Sequence, residues 1–404
     1  MLSFKYTARD PGTGQYIKAE VQAENEQAAS KLIRKEGLVP IDIALAEKSS
    51  TGLGGRFNRV KTKDKVLFSR QLSTLINAGL PLVQSLRSVN SQTTSKPLKI
   101  IINKVIADVE AGSALSAALG KHPDVFNQVF TSLIAAGEAS GTLDKALERL
   151  AIQQEKDADL VSKVRGAMVY PIIVLAVMLG VVGFMIVKVL PQVKVLYEGM
   201  PGAKLPLITS ILLAVSDFII AWWWVILIVL AIIAFFTTRW ARTGPGKIVI
   251  DRLKMHMWPI GPLFQKMYMA RFARTGSTLV ASGVPLLQML DIVAAAVNNV
   301  HVGNSILAAA DKVKGGKALS DALQTDPNFL ELVPNMLRIG EQSGAMENMM
   351  AKAADYYEKE VDDQIKGIST IIEPVLMIVL GVVAFIIVAA VLLPVYGLAG
   401  QSFT

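Results

Sequence analysis

The 404-residue chain contains no cysteine, which excludes disulfides and thiolate metal sites. Its three histidines, His122, His256 and His301, stand far apart without metal-ligand spacing, so no zinc site is expected. There is no G-x-x-x-x-G-K-S/T loop to cradle phosphates, and no H-E-x-x-H, nucleophile elbow or EF-hand loop. The reading is of a chain that is not an enzyme, needs no cofactor or metal and hydrolyses no nucleotide itself. Charged residues are scarce at 18%, against 52% hydrophobic, the balance of a membrane protein. No interleaving of aromatic with basic residues suggests a base-stacking surface, so no nucleic acid is expected as a partner. The opening MLSFKYTARD lacks the apolar core of a signal peptide and alternates like a strand. The N-terminus is therefore expected to stay in the cytoplasm.

What is present begins with three apolar runs of bilayer length. They span Gly166 to Val187, Phe218 to Thr238 and Pro374 to Leu393. The net charge of +8 collects beside them: Lys163 and Arg165 precede the first, and Lys366 precedes the third. Arg239, Arg242, Lys247, Arg252 and Lys254 follow the second, opposed only by Asp251. Lysine and arginine hold loops on the cytoplasmic side, which predicts N-terminus inside, C-terminus outside. Lys188 is expected to snorkel to the outer headgroups.

The chain also repeats itself. FSRQLSTLINAGLPLVQSL from Phe68 returns as FARTGSTLVASGVPLLQML from Phe272, an offset of 204. Gly112-x-Ala114-Leu115-Ser116 returns as Gly316-x-Ala318-Leu319-Ser320, and Pro123 as Pro327. One residue is then lost, and Gly137-Glu138-x-Ser140-Gly141 returns as Gly340-Glu341-x-Ser343-Gly344, Pro171 as Pro374, and Leu190-Pro191 as Leu393-Pro394. Chance does not produce such a register, so the halves share a fold. Each half reads as a bundle of about six helices. Gly79 and Gly112 suit left-handed helix ends, Pro81 a first helical turn, and Ser113 and Thr142 N-caps. Beyond Thr142, Leu143, Leu147, Leu150, Gln154, Ala158 and Val161 fall near one helical face. That helix is expected to continue into the first span with a kink at Pro171.

The fold class that results is a mostly α, polytopic membrane protein. It has two homologous cytoplasmic bundles, three transmembrane helices and a small α+β N-terminal segment. In the latter, alternation around Phe4 to Ala8, a turn at Asp10-Pro11-Gly12 and the run Ile17 to Ala23 predict a hairpin. A helix from Asn25 to Lys35 and a third strand from Leu38 to Ala44 follow. The expected boundaries are 1–46 for this domain, 47–63 for a Ser/Gly-rich linker and 64–165 for the first bundle. The spans are 166–190, 218–238 and 371–393, with an external loop at 191–217, the second bundle at 239–370 and an external tail at 394–404.

The repeated Gly-Glu-x-Ser-Gly segment is the sharpest polar signal. It reads as a helix–helix connection in which Gly137, Gly141, Gly340 and Gly344 permit the turn and Ser140 or Ser343 caps a helix. It also reads as a partner contact through Glu138 and Glu341, because loops expose such groups. At the membrane edge, Pro171, Glu373 and Pro374 are candidates. Glu373 is either a polar contact within a helix assembly or simply interfacial. Met346, Met349 and Met350 read as core packing before a binding surface.

These features resemble the platform proteins of type II secretion systems and type IV pilus machines, the GspF/PilC family. The resemblance rests on the two Gly-Glu-x-Ser-Gly segments, the turns at Ala78 to Leu82 and Ser282 to Leu286, and Pro171 with Pro374. The start Tyr6-x-Ala8-x-Asp10, followed by Leu32-x-x-x-x-Gly37-x-x-Pro40, belongs to it too. It covers nearly the whole chain. The second motif runs on into Ala345-Met346 where the first has Thr142-Leu143, a departure that bears on the helix cap there. The resemblance implies a homo-oligomer in the bacterial cytoplasmic (inner) membrane, embedded in its lipid bilayer. It implies contact with a cytoplasmic hexameric assembly ATPase, with pilin or pseudopilin subunits and with other inner-membrane assembly proteins, the ATPase driving filament growth through the platform. Pilus assembly is preferred slightly over secretion. Two other readings are a small-molecule transporter and a membrane receptor or adaptor. Each repeat supplies only one matching span with few polar residues, against the first, since transporter sites need polar groups at the midplane. The basic face suits lipid contact in the second.

Overall fold

The computed structural model describes residues 2–9, 16–23, 26–35, 37–45, 60–192, 195, 207–241, 243–257 and 260–401. The turn expected at Asp10-Pro11-Gly12, Arg242, the linker up to residue 59 and much of the external loop lie outside the described residues. Two compact units are present, Met1–Arg59 and Val60–Thr404.

In the first unit, strands β1 (Leu2–Arg9), β2 (Tyr16–Ala23) and β3 (Val39–Leu45) flank helix α1 (Glu26–Lys35) in sequence. The sheet order is β2-β1-β3, and both neighbours run antiparallel to β1. The alternation of β1 puts Tyr6 and Ala8 on one face, where they are buried with Ile33 of α1. The register to β3 shifts between Thr7 and Ala8, opposite Pro40, a residue with no N–H to give the ladder.

The second unit holds the repeat. Lobe 1 comprises α2 (Thr62–Asn77), α3 (Leu82–Gln92), α4 (Lys96–Glu110), α5 (Leu115–Gly120), α6 (Gln128–Ser140) and α7 (Leu143–Ala167). α8 (Val169–Phe184), a π-helical turn at Met185–Val189 and α9 (Leu207–Trp240) follow. Then comes α10 (Gly244–His256), for which the described residues of lobe 1 hold no counterpart. Lobe 2 comprises α11 (Gly261–Ala281), α12 (Leu286–Ala296), α13 (Val300–Lys314), α14 (Leu319–Leu323), α15 (Leu332–Ser343) and α16 (Met346–Gln401). Gly79, Gly112, Gly283 and Gly316 are all left-handed, as the first two were expected to be. Pro81 sits at the N-cap of α3, one position ahead of the expected first turn. The aromatic cores repeat as well: Phe68 meets Phe126 at 5.7 Å, and Phe272 meets Phe329 at 5.1 Å.

Among the described residues, three helices are long and apolar enough to cross a membrane. Their treatment of proline differs. α7 and α8 are separated at Met168, three residues before Pro171. The proline has no N–H for the Ala167 carbonyl, and its ring crowds that turn. Pro374 lies within α16, which continues unbroken for 56 residues. α9 begins at Leu207, well before the expected start at Phe218. Its extra turns carry Ser216, wholly buried, whose hydroxyl donates to the Ile186 carbonyl at 2.6 Å. A π-turn misaligns backbone groups, and a hydroxyl from the neighbouring helix supplies a partner there.

α10 is fastened by the one acid in the basic cluster. Asp251 is buried; it accepts from Val300 N at 3.1 Å and pairs with Lys254 at 3.2 Å. Asn299 caps α13 beside it, accepting from His301 N and Val302 N.

Candidate functional site: the capped corners and the seam between lobes

The Gly-Glu-x-Ser-Gly segments close α6 and α15 and turn the chain into α7 and α16. Gly141 has φ of 70° and Gly344 of 69°, the left-handed conformation that ends a helix at lowest cost without a Cβ. Thr142 N returns to Gly137 O at 2.9 Å, completing the six-residue hydrogen-bonded loop of such an ending. Gly137 answers a different demand. A Cβ there would lie 2.4 Å from the Ala146 Cβ, so its absence lets α6 and α7 meet closely. At Gly340 the Met346 Cα stands 3.0 Å from the same position.

The glutamates turn inward. Glu138 accepts from Leu115 N at 2.5 Å and Ser116 N at 3.1 Å, and from the Ser116 hydroxyl. Glu341 accepts from Leu319 N at 2.5 Å, from Ser320 N, and from the Ser320 hydroxyl. Each carboxylate therefore caps α5 or α14 from 23 or 22 residues downstream. The orphan amides of the short helix gain a charged acceptor at the positive end of its dipole. The two repeated motifs, Gly-x-Ala-Leu-Ser and Gly-Glu-x-Ser-Gly, are thus the two halves of one capped corner.

This corrects the capping assignments. Ser140 Oγ donates back to Ala136 O at 2.8 Å and Ser343 Oγ to Ile339 O at 2.6 Å, so neither caps the next helix. Thr142 makes no side-chain cap, and Ala114, not Ser113, holds the N-cap position of α5 without one. Short hydroxyl side chains inside a helix bond to the preceding turn, and the longer glutamate reaches the amides they leave free. Glu138 and Glu341 are half-buried, less available than an exposed loop acid. Glu373 and Pro374 lie on α16, both exposed, and Pro171 on α8; neither region meets the capped corners.

Sequence reading missed the seam that joins the lobes. α7 lies against α11 and α16, and α6 against α12. Gln153 is buried; its amide donates to Thr275 Oγ1 at 3.3 Å and accepts from Thr278 Oγ1 at 3.3 Å. Arg149 donates to the Ala281 carbonyl and to Ser282 Oγ at 3.3 Å. Lys156 pairs with Glu358 at 3.1 Å and Lys163 with Asp362 at 2.8 Å. Glu358 also holds Arg274 at 2.8 Å. Burial pushes the Asp157 carboxyl up from its ordinary range, against the pull of Arg271, the Gln153 amide and Arg274, with Glu358 adding to the rise. Asp362 and Asp159 together raise Lys163. The expected apolar face of α7 is displaced accordingly: Ala146, Leu147, Leu150, Ala151 and Leu160 are buried, while Val161 is exposed. A polar residue, Gln153, is what breaks the stripe at the seam. Beside it, a cavity of 540 Å³ is lined by Ser116, Ala117 and Ala136 of lobe 1 and by Gly283, Val284 and Pro285 of lobe 2. No grouping of His, Asp and Glu suited to a metal occurs among the described residues.

Comparison with known proteins places this duplicated architecture. Residues 68–191 and 272–394 each match the family described as "Type II secretion system (T2SS), protein F". Residues 1–44 match the N-terminal domain of type II secretion system protein F. The two long matches each begin in the first helix of a lobe and end just past the following span. The chain is 38% identical to the type IV pilus assembly protein PilC of Thermus thermophilus, over 99% of each chain. It is 34% identical to PilC of Pseudomonas aeruginosa, over 91% of this chain and 97% of the relative. It is 32% identical to type II secretion system protein F of Vibrio cholerae, over 98% of each. Two lobes, each closing on the same glutamate-capped corner and leading into a membrane span, therefore carry a family signature over nearly their whole length: the chain belongs to the type II secretion system protein F family, which includes the PilC proteins of type IV pilus assembly.

Proposed function

We propose that the chain is a non-enzymatic inner-membrane platform that couples a cytoplasmic assembly ATPase to the insertion of pilin or pseudopilin subunits into a growing filament. The observation that carries this reading is the continuity of each lobe with a span. α7 leads to α8 across one break, and α16 is a single helix of about 84 Å. A push on lobe 2 is delivered to the bilayer through this one stiff helix. Neither repeat carries a motif for nucleotide chemistry, so the energy has to come from a partner. In this reading both lobes and the N-terminus face the cytoplasm and the C-terminus faces outward, supported by the lysine and arginine beside the spans. Glu138 and Glu341 act in assembly by holding the corners of their lobes in shape.

The pilus branch is preferred, in keeping with the 38% and 34% identity to the two PilC proteins against 32% to the secretion protein. Deleting the gene and scoring surface pili and secreted protein separately tests both levels. Loss of pili with secretion retained is the expected result. Normal levels of both, in a strain without a paralogue, contradict the platform role. A fusion of alkaline phosphatase to the C-terminus is expected to be active, and an inactive one reverses the orientation.

A further inference from the structure

α10 stands between the second span and lobe 2, and the lobe fold does not require it, since lobe 1 builds its six helices with no counterpart among the described residues. The end of α9 fixes where α10 begins. Trp240 closes α9, exposed beside the exposed Arg239, a pairing that holds the end of a span at the level of the headgroups. Thr243 N donates to the Trp240 carbonyl at 2.9 Å, and the Thr243 hydroxyl donates to the same oxygen at 2.6 Å. A Cβ at Gly246 would lie 1.9 Å from that oxygen, so glycine lets the first turn of α10 rest on the last residue of α9. The depth at which the span ends is therefore the depth at which α10 starts.

The two sides of α10 differ. Inward, Asp251 and Met255 are buried. Asp251 accepts from Val300 N, and the Ile248 carbonyl lies 3.1 Å from His301 Nε2, so lobe 2 grips the helix from behind. Outward, Ile248, Val249 and Leu253 are exposed, Leu253 by 58%, and Met257 at the C-cap is exposed too. By contrast α13 and α15 each expose one large apolar side chain, Leu307 and Ile339. At 100° per residue, Ile248, Arg252, Val249 and Leu253 follow one another round an arc of about 140°. Arg252 is exposed, as is Lys247 in the first turn. The only acid of the helix, Asp251, is turned inward, so the outer face opposes no anion. A helix leading away from a bilayer gains nothing from aliphatic side chains beyond its first turn, whereas one lying along the surface does.

We propose that α10 is an interfacial helix lying in the headgroup layer at which the second span ends, with Arg252 and Lys247 on the phosphates of anionic phospholipids. Arg252 stands between Ile248 and Val249 on the arc, so its guanidinium meets the phosphates while the aliphatic side chains on either side settle among the lipids. Lobe 2 is thereby seated on the bilayer surface as well as joined to two spans. This stands apart from the identity of any ATPase or pilin.

The cysteine-free chain makes the test direct. Full-length chains carrying a single Val249→Cys, Leu253→Cys or, as a water-facing control, Ile339→Cys are labelled with an environment-sensitive fluorophore. They are placed in nanodiscs of phosphatidylcholine with phosphatidylglycerol. Nitroxide-bearing lipid is expected to quench the Val249→Cys and Leu253→Cys labels, and iodide the Ile339→Cys label. Moving the nitroxide from phosphatidylcholine to phosphatidylglycerol at equal fraction is expected to deepen the quenching at Leu253→Cys, and Lys247→Gln with Arg252→Gln to abolish that gain. The proposal is overturned if iodide quenches the Leu253→Cys label as it does the control, which leaves the face in water. It is overturned equally if neither quencher reaches that label, which assigns the face to a protein contact. Equal quenching by the two nitroxide lipids overturns the anionic assignment.

Discussion

Glu138 shows how one side chain holds two distant turns together. Its carboxylate receives the first amides of α5 and so ties that helix to the end of α6. Glu138→Ala leaves those donors without their acceptor, a loss of about 1–3 kcal/mol for hydrogen bonds to a charged group. Glu341→Ala is expected to cost lobe 2 a similar amount. Glu138→Gln, whose amide oxygen still accepts, costs less. Thermal unfolding in detergent reads the order Ala below Gln below wild type, and equal midpoints for all three contradict the cap. Gly137→Ala acts by a separate route, forcing α6 from α7 against Ala146, and is expected to cost about 1–3 kcal/mol. The same scan measures it, and a wild-type midpoint removes the close-packing argument. Asp157 supplies a pH dependence. Its folded pKa is raised, so the folded state holds the proton more tightly than the unfolded chain does. Its contribution is full below the unfolded carboxyl value and is lost as pH rises through the folded one. Asp157→Asn is expected to remove that fall from the stability–pH profile, and an unchanged profile rejects it.

At the scale of elements, the helices were legible wherever turn chemistry punctuated them. Gly79, Gly112 and Gly141 stand at left-handed ends because an L side chain is strained there, and the sequence advertises that with glycine. The caps were not legible. A glutamate bonding an amide 23 residues earlier has no local spacing to betray it, and the nearer serines offered a plausible substitute. The repetition of both motifs at nearly one offset was the available signal, since parts that recur together are often in contact. Proline was only half legible. Pro171 coincides with a break and Pro374 with none, although each removes one backbone bond, so proline alone does not decide where a span helix is interrupted. Pro171→Ala is expected to restore the bond to the Ala167 carbonyl and join α7 to α8. Amide exchange at Met168 to Ile172 should slow, and unchanged exchange would place the cause of the break elsewhere.

At the scale of the molecule, the three spans and the duplication followed from hydropathy and register, because both are long-range sums over many residues. The seam did not, because it depends on which face of one lobe meets which face of the other. Lys156, Lys163, Glu358 and Asp362 look like ordinary solvated charges in a linear reading. Only their pairing across roughly 200 residues makes them an interface. The resulting body has two fused lobes, and its second lobe is continuous with a membrane span through α16. The central claim is that this continuity transmits force to the filament. Inserting Gly-Gly into α16 after Lys366 tests it most directly, with filament output measured in cells alongside membrane content of the protein and its co-purification with the assembly ATPase. The account predicts normal membrane content, normal ATPase binding and loss of filaments. Wild-type filament output from a chain with that flexible break would contradict it.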